Sequence, residues 1–169
     1  MRRLLHCYKS LPSTNDTAKD LARQGAVHGT AVIAEAQSAG RGTRGRTFLS
    51  PVGGLYLSVI LRPARPAAEL TGLTLSAGEI IRAAIAKMCP QIQPTVKPIN
   101  DILIDGKKVC GILTEGQFEG DGYAFVVIGV GINIDHVPQV EDQPVTCLKN
   151  VNRLELAELI IEGLLKLEG

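Results

Sequence analysis

Apolar residues follow two different periods along this chain. Leu73, Ala77, Ile80, Ile81, Ala84, Ile85 and Met88 keep helical spacing and predict an amphipathic core helix over 73–88. Leu154, Ala157, Ile160, Ile161, Leu164 and Leu165 repeat that spacing after Asn152 and predict a second. Elsewhere the apolar residues come in short runs. Strands are expected at Leu4–Tyr8, Thr30–Gln37 and Gly53–Leu61, the last almost continuously apolar, as in a strand covered on both faces. Pro63 and Pro66 end it. Between the first two strands, Ser13 opens a helix that runs to about Gln24 and stops at Gly25; Ser13 and Asp16 resemble a capping box, with Asp shorter than the preferred Glu. Thr95-Val96-Lys97 begins another strand. Asp105-Gly106 reads as a type I′ turn joining Ile102-Leu103-Ile104 to Val109-Cys110-Gly111-Ile112-Leu113, and Gly120-Asp121-Gly122 leads into Tyr123–Ile134.

This order predicts one α/β (α+β) domain over 1–169: a mixed, largely antiparallel sheet, joined mostly by hairpins and covered on one side by helices. No repeat, low-complexity linker or internal boundary interrupts it. Apolar residues make up 45% and charged residues 21%, which argues against extensive disorder. The net charge of +1 provides no global field for nucleic acid, so any basic site is local. Cys7, Cys89, Cys110 and Cys147 are scattered without a C-x-x-C pair, and the three histidines form no ligand cluster with them. No protein metal site is expected. The run Met1–His6 lacks the apolar core of a signal peptide and no segment has the length of a membrane span, so the expected setting is cytoplasmic, without a membrane partner.

The stretch from Ala39 to Phe48 stands apart. Gly40, Gly42 and Gly45 are interleaved with Arg41, Arg44 and Arg46, between two apolar strands. Glycine lets backbone N–H groups approach a ligand, and arginine offers a planar fork of donors suited to carboxylate or phosphate. Such a loop suits closure over an anion, although Gly-Arg runs also occur in flexible linkers and RNA-binding segments. Ordering ten residues costs on the order of 10–20 kcal/mol of backbone entropy, so closure should require a bound anion. A P-loop, a G-x-S-x-G elbow and H-E-x-x-H are all absent.

Five pieces occur in order: Ser13-Thr14-Asn15; Gln37 with Gly40–Arg46; Lys97 to Asp101; Lys108-Val109-Cys110-Gly111-Ile112-Leu113; and Gly129-Val130-Gly131-Ile132-Asn133. Together they resemble the catalytic domain of biotin protein ligases over almost the whole chain. The resemblance implies the fold of biotin and lipoate ligases, akin to class II aminoacyl-tRNA synthetases. It also implies a two-step reaction in which biotin and Mg-ATP (Mg2+ entering with the nucleotide) give biotinyl-5′-AMP, and a lysine of a biotin carboxyl carrier protein, as in acetyl-CoA carboxylase, then takes the biotinyl group. By resemblance Arg41 and Lys108 are catalytic. Ser13, Thr14, Asn15, Gln37, Gly40, Gly42, Thr43, Gly111 and Gly129 join them around biotin, while Arg44, Gly45, Arg46, Lys97, Asn100, Gly131 and Asn133 face the nucleotide. A homodimer through a sheet edge is also implied.

Three departures from the pattern matter. Thr43 stands where the family usually has a further arginine, so one cation over the intermediate is missing. The usual Lys-Trp-Pro-Asn-Asp run is Lys97-Pro98-Ile99-Asn100-Asp101 here, and the chain has no tryptophan. Finally, neither an N-terminal helix-turn-helix nor a C-terminal β-barrel is recognised, so no DNA contact is expected. An active ligase and a biotin- or adenylate-binding protein that turns over poorly both fit these departures. A lipoate or octanoate ligase on the same fold is a further alternative, and RNA binding through the Gly-Arg loop a distant one.

Overall fold

In the computed structural model, which describes residues 4–168, seven strands form one sheet in the order β1-β2-β3-β7-β6-β5-β4. The first three residues of the Met1–His6 run and the terminal Gly169 lie outside the described residues. The strands are β1 (Leu5–Leu11), β2 (Ala31–Gln37), β3 (Leu55–Leu61), β4 (Thr95–Lys97), β5 (Asp101–Ile104), β6 (Lys107–Glu119) and β7 (Gly122–Ile132). Only β1 and β2 pair in parallel; every other neighbouring pair is antiparallel. The helices are α1 (Thr14–Arg23), α2 (Leu73–Met88) and α3 (Arg153–Leu164).

Periodicity located these elements well, and turn chemistry fixed their joints. Asp105 and Gly106 both have positive φ (50° and 75°), as the predicted type I′ turn between β5 and β6 requires. Gly25, at φ 91°, ends α1. The first strand is longer than expected, because register with β2 continues as far as Leu11 opposite Gln37. Leu154 was expected in the core but is 56% exposed; it is the second residue of α3, and Leu156 turns inward in its place.

The helices do not share one face of the sheet, which corrects the one-sided cover expected from sequence. Helices α2 and α3 pack Ala77, Ile81, Ile85, Leu156, Ile160 and Leu164 against Leu57, Val59, Ile112, Val126, Ile128 and Val130. On the opposite face α1 sets Ala18 and Ala22 against Val32, Ile60, Phe125 and Val127. Successive residues of a strand point to opposite faces, so the α1 face of β7 carries Phe125, Val127, Gly129 and Gly131 in turn. Large side chains fill the space beneath the body of α1. Beyond its N-terminus two glycines leave the sheet bare.

Candidate active site

That bare patch is the floor of a cleft of ≈ 110 Å³. Gly129 lies opposite Ser58 on one side and Leu113 on the other, and Gly131 lies opposite Gly111. Each glycine is required by what stands over it. A Cβ at Gly129 would collide with the Asn15 amide, and one at Gly131 with the Phe48 ring. At Gly111 it would meet the same ring and crowd Lys108.

At one end of the floor lies a buried polar chain whose direction follows from donors and acceptors. Asn15 Nδ2 donates to the Leu113 carbonyl (3.2 Å) and to Glu115 Oε2 (2.9 Å), both pure acceptors, so Oδ1 faces β3 and takes the Ser58 hydroxyl proton at 2.6 Å. The Thr14 hydroxyl donates to Gln37 Oε1 at 3.1 Å, and its oxygen lies 2.8 Å from Ser58 Oγ. Gln37 Oε1 accepts from the Thr14 N–H at 2.8 Å, its Nε2 donates to Ser50 Oγ at 2.8 Å, and Ser50 donates to the Phe48 carbonyl at 2.9 Å. Ser13, Thr14, Asn15, Ser50 and Ser58 are all buried. Ser13 caps α1 by accepting from the Asp16 N–H at 3.5 Å, a long contact. Only half of the predicted capping box forms, because the Asp16 carboxylate turns to Arg41 and Lys19 instead. Among the described residues no acceptor takes the Ser13 hydroxyl proton or the second Gln37 amide proton, which leaves two donors at the cleft.

The Gly-Arg loop closes the other side. The Phe48 N–H donates to the Gly40 carbonyl (2.8 Å) and the Gly42 N–H to the Arg46 carbonyl (2.7 Å), so the loop is a narrow hairpin. Gly40 lies beneath it, where a Cβ would strike the Phe48 carbonyl and Ser50 Oγ. Arg44 occupies the left-handed region at φ 59° at the exposed tip. Arg41 reaches back to Glu115 and Asp16. Its guanidinium is stabilised above the usual arginine range, first by the hydrogen bond to Glu115, against the opposing effect of burial, with both carboxylate charges adding to it. Burial alone would raise the Glu115 carboxyl, yet hydrogen bonds from Arg41, Asn15 and Lys19 outweigh it and hold it down to about 2.

Lys108 stands across the cleft, fixed by more than its hairpin. Its N–H donates to the Pro144 carbonyl at 2.9 Å and its carbonyl accepts from the Thr146 N–H at 2.8 Å. Asn133 Nδ2 in turn donates to the Thr146 carbonyl at 3.0 Å, so this asparagine holds the returning chain in place. The ammonium lies 2.9 Å from Asp101 Oδ1 and 5.6 Å from the centre of the Phe48 ring. The contact with Asp101 is an ion pair by distance without the geometry of a directed hydrogen bond. Asn100 Nδ2 donates to Thr43 Oγ1 at 3.4 Å and to the Ile112 carbonyl at 3.3 Å.

Of the residues expected from sequence, the fold brings Ser13, Thr14, Asn15, Gln37, Arg41, Gly42, Thr43, Arg46, Asn100, Lys108, Gly111, Gly129, Gly131 and Asn133 to this cleft. Gly40, Arg44, Gly45 and Lys97 do not line it; Lys97 is exposed on the edge strand β4. Sequence reasoning missed Phe48, Ser58, Asp101, Glu115 and the wall made by Pro138, Val140, Gln143 and Val145. Phe48 and Asp101 are the last residues of stretches already singled out, and only their roles went unassigned. Ser58 and Glu115 are single polar residues within strands, and only pairing places them beside Asn15. No group of three or more His, Cys, Asp or Glu among the described residues could hold a metal ion, and no helix among them is long and apolar enough to cross a membrane.

Known proteins share both the sequence and the shape. Over 129 residues the chain is 45% identical to the bifunctional ligase/repressor BirA of Bacillus subtilis, covering 76% of this chain and 39% of that protein. Over 128 residues it is 37% identical to the biotin–[acetyl-CoA-carboxylase] ligase of Paracoccus denitrificans, covering 75% and 52%. The chain thus spans about half the length of these relatives or less. The crystal structure of the Leishmania major biotin protein ligase in complex with biotinyl-5-AMP superposes with a TM-score of 0.85 at 29% identity, over 99% of this chain and 75% of that one. The Aquifex aeolicus biotin protein ligase in complex with biotin and ATP gives 0.76 at 30% identity, over 99% and 72%. Residues 7–133, which carry all seven strands but the first two residues of β1 and every polar group of the cleft floor, match a single family, and the chain belongs to the biotin/lipoate A/B protein ligase family.

Proposed function

We propose that this chain is the catalytic domain of an ATP-dependent biotin ligase. It makes biotinyl-5′-AMP and pyrophosphate, then passes the biotinyl group to a lysine of a biotin carboxyl carrier protein of the acetyl-CoA carboxylase type. The observation that carries the reading is the pairing within one cleft of a buried, directed polar chain at Ser13–Asn15 and Gln37 with cations at Arg41, Arg46 and Lys108. The first suits an uncharged ureido ring, whose buried donors and acceptors each cost about 1–3 kcal/mol if unpaired. The second suits the reaction, in which the biotin carboxylate must approach the α-phosphate of ATP.

In that step a carboxylate oxygen attacks the α-phosphorus and the bond to the β-phosphate bridging oxygen breaks, releasing pyrophosphate. Lys108 neutralises the approaching anions from a backbone held on both sides, exchanging its Asp101 partner for substrate charge. Asp101 and Asn100 are the cleft residues that would face a magnesium ion carried in by the nucleotide, where it would offset phosphate charge. In the second step the carrier lysine amine attacks the acyl carbon, the anhydride C–O bond breaks and AMP leaves. Pockets for ligands of ordinary drug size begin at about 300 Å³. The cleft is smaller, so the adenylate enters with the Gly-Arg loop displaced and Phe48 lifted from its glycines. The protein works in the cytoplasm, and the exposed sheet edges β1 and β4 are where a homodimer would pair.

The test is biotin-dependent exchange of labelled pyrophosphate into ATP, followed by transfer to a carrier domain. Exchange that disappears in Lys108→Ala supports the reading. Biotin binding without exchange would replace it with a binding protein, and exchange driven by lipoate or octanoate alone would move it to that branch of the family.

A further inference from the structure

Glu115 does not line the cleft, yet two residues that do line it end on its carboxylate. Arg41 Nη1 and Nη2 donate to Oε1 and Oε2, each at 3.0 Å, in the parallel two-bond geometry that gives an arginine–carboxylate pair both strength and direction. Asn15 Nδ2 adds a bond to Oε2 at 2.9 Å and Lys19 Nζ one to Oε1 at 3.0 Å. Four donors from the Gly-Arg loop and α1 thus converge on one side chain of β6. Asp16 takes Arg41 Nη2 from the other side. Arg44 and Arg46, by contrast, make no ion pair with any described residue, so Arg41 alone among the loop arginines ties the loop to the scaffold.

We propose that Glu115 is a positioning residue: by holding the Arg41 fork and the Asn15 amide on one carboxylate, it fastens the base of the Gly-Arg loop and sets the polar end of the cleft at the same time. Arg41 is thereby a hinge pin as well as one of the cations of the cleft. A solvated ion pair would not do this, since exposed pairs contribute little. Glu115 is only 23% exposed at its side chain, and its four bonds come from two separate elements. The inference depends on the proposed function only for what the loop closes over.

The experiment needs no ligand. Trypsin cuts after Arg44 and Arg46 at a rate that tracks how often the loop opens. In the full chain, Glu115→Gln keeps an acceptor for Asn15 but loses the charge that holds Arg41. It should speed cleavage at those two bonds about tenfold while leaving other sites unchanged. In an Arg41→Gln background, where the pair is already broken, Glu115→Gln should add less than about twofold to loop cleavage. Cleavage of the single Glu115→Gln variant within about twofold of the parent, equal acceleration at every site, or a further full acceleration of about tenfold in the double variant would each overturn the proposal. Because the readout is proteolysis, a protein that fails to exchange pyrophosphate but shows this pattern sinks the ligase reading and leaves the positioning role intact.

Discussion

The two ends of the cleft are built on opposite plans. Around Asn15 and Thr14 the polar groups are buried, and the Asn15 amide has its direction dictated by its neighbours Leu113, Glu115 and Ser58. Around the Gly-Arg loop the polar groups are charged, largely exposed and either held by carboxylates or unpaired. The first end is held by its own hydrogen bonds, with two donors left over for a ligand. The second exchanges one set of partners for another when an anion enters, since Lys108 must release Asp101 to act. A neutral ring is thus recognised by rigidity, and a charged reaction centre by replaceable contacts.

Lys108→Ala should separate the two ends most sharply. Removal of one such cation typically costs about 10²–10³ in turnover, so exchange should collapse while biotin binding, measured by calorimetry, persists. A parallel loss of both would show that the ends are not independent. Asn15→Ala should do the reverse damage: Ser58 and Glu115 lose a buried partner, costing about 1–3 kcal/mol of stability in denaturant melts and weakening biotin binding by a similar amount. Arg46→Ala, on the exposed side, should leave the same melt unchanged.

Acid titration tests the seam between the ends. The Glu115 carboxyl is depressed from 4.5 to about 2, so the stability it contributes is fully present above about 4.5 and is lost as the pH falls towards 2. Glu115→Gln should flatten that acid limb, because the stability contributed by the charge is then missing at every pH, so melts at pH 7 and pH 3 should differ less in the variant than in the parent. The smallest effect belongs to Thr43→Arg. One added exposed cation is worth about 0.2–1 kcal/mol, so release of a bound adenylate should slow only a few-fold, more at low salt than at high.

The sequence made the strands, their turns and most of the cleft legible because those features are local. A positive φ at Asp105-Gly106 and helical spacing over 73–88 need no partner to be recognised. Ser58 and Glu115 are different: each is an unremarkable polar residue in a strand until register sets it beside Asn15, 43 and 100 residues away in the chain. The same reason hid the sidedness of the helices. Alternation shows that a strand has two faces, but which helix takes which face is decided by crossovers that no short window contains. The carboxylates that hold Arg41 are hidden for the same reason, since they come from α1 and β6. Lys97, expected at the nucleotide, lies exposed on edge strand β4, a placement that only the strand order reveals.

The double tether on Lys108 has a consequence for the order of synthesis. All seven strands are complete by Ile132, yet the backbone of this lysine gains its last partners from Pro144 and Thr146. A nascent chain that has emerged only as far as β7 already carries every strand of the sheet and every glycine of the floor. It still lacks the clasp that fixes the lysine, which arrives only with Thr146 after the sheet is whole, at an elongation rate of about 5–20 residues per second a delay of about 1–3 seconds.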